Sequence, residues 1–289
     1  MPTFSPVILR GFPCRVTRFD DIVYASPDGQ PLLVDLYLPD EAARPLPVIV
    51  FLHAGGWLNH DRRFAPDLGR FFAERGFAMA SLDYRSSRQA VFPAALQDVI
   101  AGIQWLRSAG AEYGLDPERI GVWGASAGGH LAALAALSAP ETRVRAVAAV
   151  YPPVDFLQMG EESASPRSYE SRFLGAPIRT VPELVKQANP VTYVQPGAPP
   201  FLLVHGSADT SVPVSQSELL YEALRAAGNH VTLSVIEGLE HGFLNDNSFD
   251  QGPQRRHRLR ASRPGEPEQV FDAPPLTFGT FETFFKRHV

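Results

Sequence analysis

The stretch from Arg119 to Ala139, RIGVWGASAGGHLAALAALSA, runs an apolar strand into a turn and then into an Ala-rich helix. At its centre, Gly124-Ala125-Ser126-Ala127-Gly128 sets a glycine on either side of a serine, so strand and helix backbones can approach with no Cβ between them. Ser126 is then presented on a sharp bend. The helix beyond it aims free N–H groups and the positive end of its dipole at the same point, which favours an anion forming there. That suits ester or amide cleavage. A small-residue turn that merely packs a helix on a strand has the same composition, so the flanks carry weight. Ile120-Gly121-Val122-Trp123 reads as a buried strand, and Leu131, Leu134 and Leu137 give the helix an apolar face.

The rest of the chain repeats this alternation. Arg15 to Ala25 and Pro31 to Pro39 alternate apolar and polar residues around the turn formers Ser26-Pro27-Asp28-Gly29, the pattern of an antiparallel hairpin at a sheet edge. Pro47 to Ala54, Phe77 to Tyr84, Val144 to Tyr151, Phe201 to His205 and Val231 to Ile236 read as buried strands. Between and after them, Phe64 to Arg75, Pro93 to Ser108, Ser215 to Ala227 and Gly279 to Arg287 read as helices. Strands joined by crossover helices predict the α/β class, with a mainly parallel central sheet covered by helices on both faces.

Two segments break the rhythm. Residues 155–197, rich in Pro, Ser and Glu, sit where a cap could be inserted over the strand ends. Residues 245–276 carry Arg255, Arg256, Arg258, Arg260 and Arg263 among many prolines, a composition that predicts a solvated excursion, an anion-recruiting surface or a lid held by Phe249 or Phe271. The expected organisation is one domain over 1–289 with these two interruptions.

Composition excludes more than it selects. Hydrophobic residues at 45% and charged residues at 20% are ordinary globular proportions, and a net charge of -5 offers no basic face for nucleic acid. Cys14 is the sole cysteine, so neither an intrachain disulfide nor a cysteine-based metal site is expected. No apolar run approaches a membrane span, and Met1 to Arg15 lacks the layout of a secretion signal. The expectation is a cytoplasmic protein with no membrane contact, and a homodimer is left open.

A serine hydroxyl becomes a nucleophile when a base takes its proton and a carboxylate fixes the base. Asp209 follows the strand Phe201 to His205, and His241 follows the strand Val231 to Ile236, so the order is serine, acid, histidine. Asp155 is a rival acid one strand earlier, and Asp246, after the histidine, a weaker one. His130 and His205 read as packing or bracing residues, and no HExxH pair or similar set suggests a metal. The loop His53-Ala54-Gly55-Gly56-Trp57 follows the central strand and can turn the N–H groups of Gly55 and Gly56 inward. With the N–H of Ala127 they make a candidate oxyanion hole, although two glycines beside a tryptophan also suit a plain turn. Trp57, Ala125 and Phe243 are candidate substrate contacts.

With HAGGW at 53–57, LDYR at 82–85, FPAALQDV at 92–99, GASAGGHLAAL at 124–134, HGSADTSVP at 205–213 and LEHGF at 239–243, the chain resembles esterases of the α/β-hydrolase superfamily. It is most similar to the branch with bifunctional feruloyl and acetyl-xylan esterases and hormone-sensitive-lipase-like enzymes. The resemblance implies Ser126, Asp209 and His241 as the triad, Gly55, Gly56 and Ala127 as oxyanion donors, and no cofactor. Ala54 stands where the family usually has the first glycine of HGGGW. The expected function is that of a serine carboxylesterase hydrolysing short-chain or small aromatic esters through an acyl-enzyme. A kynurenine-formamidase-like amidohydrolase is the alternative, and a non-catalytic small-molecule-binding protein on the same scaffold the second.

Overall fold

The computed structural model describes residues 7–9, 15–245, 247–253 and 255–289. Cys14 and the rival acid Asp246 lie outside the described residues. The chain opens on antiparallel strands β1 (Val7–Leu9), β2 (Val16–Ala25) and β3 (Leu32–Pro39). Six parallel strands follow: β4 (Leu46–Leu52), β5 (Ala78–Leu82), β6 (Leu115–Ala125), β7 (Ala146–Val150), β8 (Phe201–Gly206) and β9 (Val231–Ile236). The sheet is completed by β10 (His257–Ser262) and β11 (Gln269–Ala273), and its order is β1-β2-β3-β5-β4-β6-β7-β8-β9-β10-β11. The hairpin β2–β3 lies toward one edge, as expected, with β1 outside it.

Period two within the apolar runs feeds two cores. Along β4, Val48, Val50 and Leu52 face one side, with helices α2 (Ala94–Ala109), α3 (Ala127–Ser138) and α6 (Ser215–Ala226) contributing Val99, Ile103, Leu131, Leu134 and Leu220. Ile49 and Phe51 face the other side, with Leu68 and Phe71 of α1 (Leu68–Phe71) and Phe278, Phe281 and Phe285 of α7 (Phe278–His288). Trp123 anchors that second core, its ring 4.7 Å from Phe51 and 4.9 Å from Phe72. Helix α1 is shorter than the expected Phe64 to Arg75, because an N-cap bond to Asp67 starts it late and a 3-10 turn at Ala73–Arg75 ends it. Helix α3 has no polar side over Ala127 to Ala136. Every residue there is buried, so the leucine face expected from the sequence is part of an apolar surface all round.

The Arg- and Pro-rich stretch is not a solvated excursion. His257–Ser262 pairs antiparallel with β9, and Gln269–Ala273 pairs with β10, so the sheet extends by two strands. Residues 155–197 instead form short helices, among them α4 (Tyr169–Leu174) and α5 (Pro182–Ala188). Among the described residues no helix is long and apolar enough to cross a membrane.

Candidate active site

Three strand ends of the parallel block build the site. At the end of β6, Ser126 adopts φ 54 and ψ -120, a left-handed conformation that a non-glycine residue holds only under constraint. The constraint is close packing. A Cβ on Gly124 would stand 2.2 Å from the Gly128 carbonyl oxygen, and one on Gly128 would stand 2.1 Å from the Leu52 carbonyl oxygen. The Ser126 N–H donates to the Val150 carbonyl at 2.9 Å, tying the bend to β7.

The loops after β8 and β9 bring Asp209 and His241 to that bend. Ser126 Oγ lies 2.9 Å from His241 Nε2, and His241 Nδ1 lies 2.6 Å from Asp209 Oδ2. If Nδ1 carries the proton toward Asp209, Nε2 is left as an acceptor for the serine hydroxyl. Asp209 is buried and its other oxygen accepts the N–H groups of Ser211 at 3.0 Å and Val212 at 2.9 Å. Burial alone would push its carboxyl up. The bonds from His205, His241 and the Val212 N–H outweigh that and hold it well below the usual carboxylate range.

His205, fully buried, braces this acid. Its Nε2 is 2.9 Å from the Val212 carbonyl and 3.3 Å from Asp209 Oδ2, while Nδ1 is 2.7 Å from the Ser217 hydroxyl. An Nε2–H tautomer satisfies all three contacts, with Ser217 donating to Nδ1.

The loop after β4 closes the site from the side. Gly55 at φ 129, Gly56 at φ 60 and Trp57 at φ 54 turn the backbone sharply. A Cβ on Gly55 would meet the Asn59 carbonyl at 2.2 Å, and one on Gly56 would meet the Tyr169 ring at 2.4 Å. Among the described residues, no protein acceptor takes the N–H of Gly56 or of Ala127, which opens α3. The far end of the loop is pinned by Arg62. This buried guanidinium bonds Asp35 at 2.7 Å, Asp83 at 2.8 Å and also Asp21.

Gly55, Gly56, Trp57, Ser126 and His241 line one cavity of about 280 Å³. The other expected contacts are placed elsewhere. Ala125 is buried in β6 and does not line it. Phe243 packs on Tyr151 and Phe249 and lines a neighbouring cavity of about 210 Å³. Trp57 reaches the wall, but its indole is buried and stacked on Phe173 at 4.5 Å. Asp155 accepts the Leu157 N–H at 3.0 Å as the cap of a 3-10 turn, not a bond from His241. Two wall residues, Tyr169 and Glu170, come from the segment 155–197. Glu170 is buried and has no cation partner among the described residues, and burial raises its carboxyl pKa, with its own N–H and Ser168 pulling the other way. No group of three or more His, Cys, Asp or Glu among the described residues is placed to hold a metal ion.

A parallel sheet with helices on both faces, and a serine presented at a strand-to-helix bend beside a histidine, define an α/β-hydrolase. The BD-FAE family model matches residues 34–224, and the chain belongs to that family. Among its relatives, esterase LipQ of Mycobacterium tuberculosis is 35% identical over 239 residues, which cover 77% of this chain and 56% of that one. The chain spans about six tenths of the length of such curated relatives. A truncated carbohydrate esterase from gut microbiota superposes with a TM-score of 0.72 at 29% identity, covering 81% of this chain and 92% of that one. The propionate-bound form of a thermophilic esterase from Thermogutta terrifontis gives 0.63 at 30% identity, covering 77% and 84%.

Proposed function

We propose that this chain is a serine carboxylesterase acting on short-chain or small aromatic carboxylic esters. The observation that carries the reading is the continuous hydrogen-bonded line from Ser126 Oγ through His241 to Asp209. Ser126 Oγ attacks the ester carbonyl as its proton passes to His241 Nε2, and Asp209 steadies the imidazolium through Nδ1. The oxyanion faces the N–H groups of Gly55, Gly56 and Ala127. Collapse expels the alcohol, which takes the proton from His241. Water, deprotonated by the same imidazole, then releases the acid and restores Ser126. No step needs a cofactor.

Size favours a small acyl group, because the cavity of about 280 Å³ is shared by the reacting carbonyl and the leaving group. The propionate found in the Thermogutta terrifontis relative is an acid of that size. The test is a panel of p-nitrophenyl and aryl esters of graded acyl length beside a formyl amide, with fluorophosphonate labelling of the protein and of Ser126→Ala. Turnover of short esters, with labelling lost in the variant, is expected. Faster formyl-amide cleavage would shift the reading to an amidohydrolase, and no labelling at all would leave a binding protein.

A further inference from the structure

The two strands added by the Arg-rich stretch have a consequence of their own. Because β10 and β11 extend the sheet past β9, α7 does not cover the whole of that face, and a cleft of about 520 Å³ remains between them. Its floor follows from the strand register. Ser234 pairs with Leu259 and Leu259 with Phe271, so these three side chains lie in one row on one face, and His257 lies on the same face two residues along β10. The opposite wall is α7, which presents Thr280, Thr283, Phe284, Arg287 and His288.

We propose that this cleft binds a small organic oxyanion, a carboxylate or phosphate carried on a short apolar body. Two buried polar atoms on the floor lack partners among the described residues: Ser234 Oγ, on a residue at 0% exposure, and His257 Nδ1, on a residue at 4%. Unpaired buried donors cost on the order of 1–3 kcal/mol each, a cost that a bound acceptor removes. The charged side chains that line the cleft are cationic. Arg263 and Arg287 reach the cleft beside His230 and His288, and Arg287 has no carboxylate partner among the described residues. Two acids act nearby: Glu266 stands 3.7 Å from Arg263, and Asp272 raises the His257 pKa against the burial that lowers it. Burial first, then His230, Arg287 and Arg263, push His288 down to about 4.

The remaining surface sets the rest of the ligand. Leu259, Phe271 and Phe284 line the same space, and Phe271 is 46% exposed although it is a phenylalanine. An apolar tail on these rings, with its anionic head toward Arg287 and the floor donors, satisfies both halves. The lining shares no residue with the cavity of Ser126 and His241, so the inference does not rest on the esterase reading.

Titration calorimetry at low salt, with octanoate and with phenylphosphate, tests it on the full chain. At least one of the two should bind, and Arg263→Gln combined with Arg287→Gln should weaken it tenfold or more. Both arginines are on the surface, so the fold should be kept, and an unchanged melting temperature verifies that. Arg225→Gln, on the exposed face of α6, should leave binding as it was. Failure of both to bind, or binding that the paired substitution leaves unchanged, would overturn the proposal.

Discussion

His205 Nε2 stands 3.3 Å from Asp209 Oδ2, the same oxygen that lies 2.6 Å from His241 Nδ1. One carboxylate oxygen thus ties a buried, bracing imidazole to a partly exposed one at the site. Removing the carboxylate's charge with Asp209→Asn favours the wrong tautomer of His241 and should lower kcat by roughly ten-thousandfold. His205→Ala removes only one bond to that charge, so kcat should fall roughly ten- to hundredfold with KM little moved. Steady-state kinetics on a short p-nitrophenyl ester separates them. Equal damage in the two variants would mean that His205 holds the loop as a whole and not the acid alone.

The elbow depends on two absent side chains. In Gly124→Ala the new methyl would meet a backbone carbonyl 2.2 Å away, which can retreat only by moving α3 off β6. In Gly102→Ala the obstacle is Leu82 Cδ1 at 2.6 Å, a side-chain end that can rotate. The first should therefore cost more than about 3 kcal/mol and the second about 1 kcal/mol. Denaturant melts of both variants measure the difference, and a Gly124→Ala protein as stable as the parent would show that the bend has room.

Much of this was legible beforehand because the local signals agreed with one another. The parallel strands are apolar runs between turn residues, and Ser126, Asp209 and His241 each follow one of them. The stretch at residues 257–273 was misread because composition outweighed period. HRLRAS alternates charged and less polar residues as a strand does, but its arginines and the surrounding prolines suggested solvent. The cavity wall was illegible for another reason. Tyr169 and Glu170 reach the site from α4, which belongs to no strand–helix unit, so no spacing in the sequence marks them.

Acid should weaken the fold through its buried histidines. Burial lowers His53 and His130 to about 4, so both are neutral in the folded chain, whereas in the unfolded chain they take up protons near pH 6.5. The unfolded state binds more protons in that interval, and stability falls as pH drops from about 6.5 to about 4, by on the order of a few kcal/mol for each histidine. Asp209, with its lowered pKa, loses its contribution in a lower window, only below about 4. Unfolding free energies at pH 7 and pH 5 should show the slope, and His130→Leu should flatten it. A parent protein equally stable at both values would contradict the buried neutral state.

Arg62 and Asp35 meet with almost no water present, at 3% and 1% exposure. Replacing Arg62 by Met would leave Asp35, buried beside it at 2.7 Å, with Arg18 at 3.3 Å as its remaining cation, and would free the far end of the loop that carries Gly55 and Gly56. Removing one partner of such a pair costs about 3–5 kcal/mol. Adding Asp35→Asn to Arg62→Met should recover part of that, because the stranded charge is gone. A midpoint of denaturation no higher in the double variant than in Arg62→Met would show that the loop, not the charge, dominates.

Glu170 puts a carboxyl group on the wall of the cavity that holds Ser126 and His241, and no cation among the described residues pairs with it. Burial raises its pKa, and wherever the carboxyl is ionised its charge acts in a space where charges interact more strongly than in water. It should therefore disfavour substrates that carry a carboxylate of their own. Neutral and anionic esters matched in length, such as a butyrate and a hemisuccinate of the same alcohol, isolate that term. We expect Glu170→Gln to raise kcat/KM for the hemisuccinate severalfold relative to the butyrate at low salt, with the gap closing as salt screens the partly open cavity. Glutamine keeps the shape and the acceptor oxygen, so a loss of hydrogen bonding to the butyrate is not confounded with the charge. A ratio that stays the same at both salt concentrations would mean that the carboxylate points away from the bound acyl group.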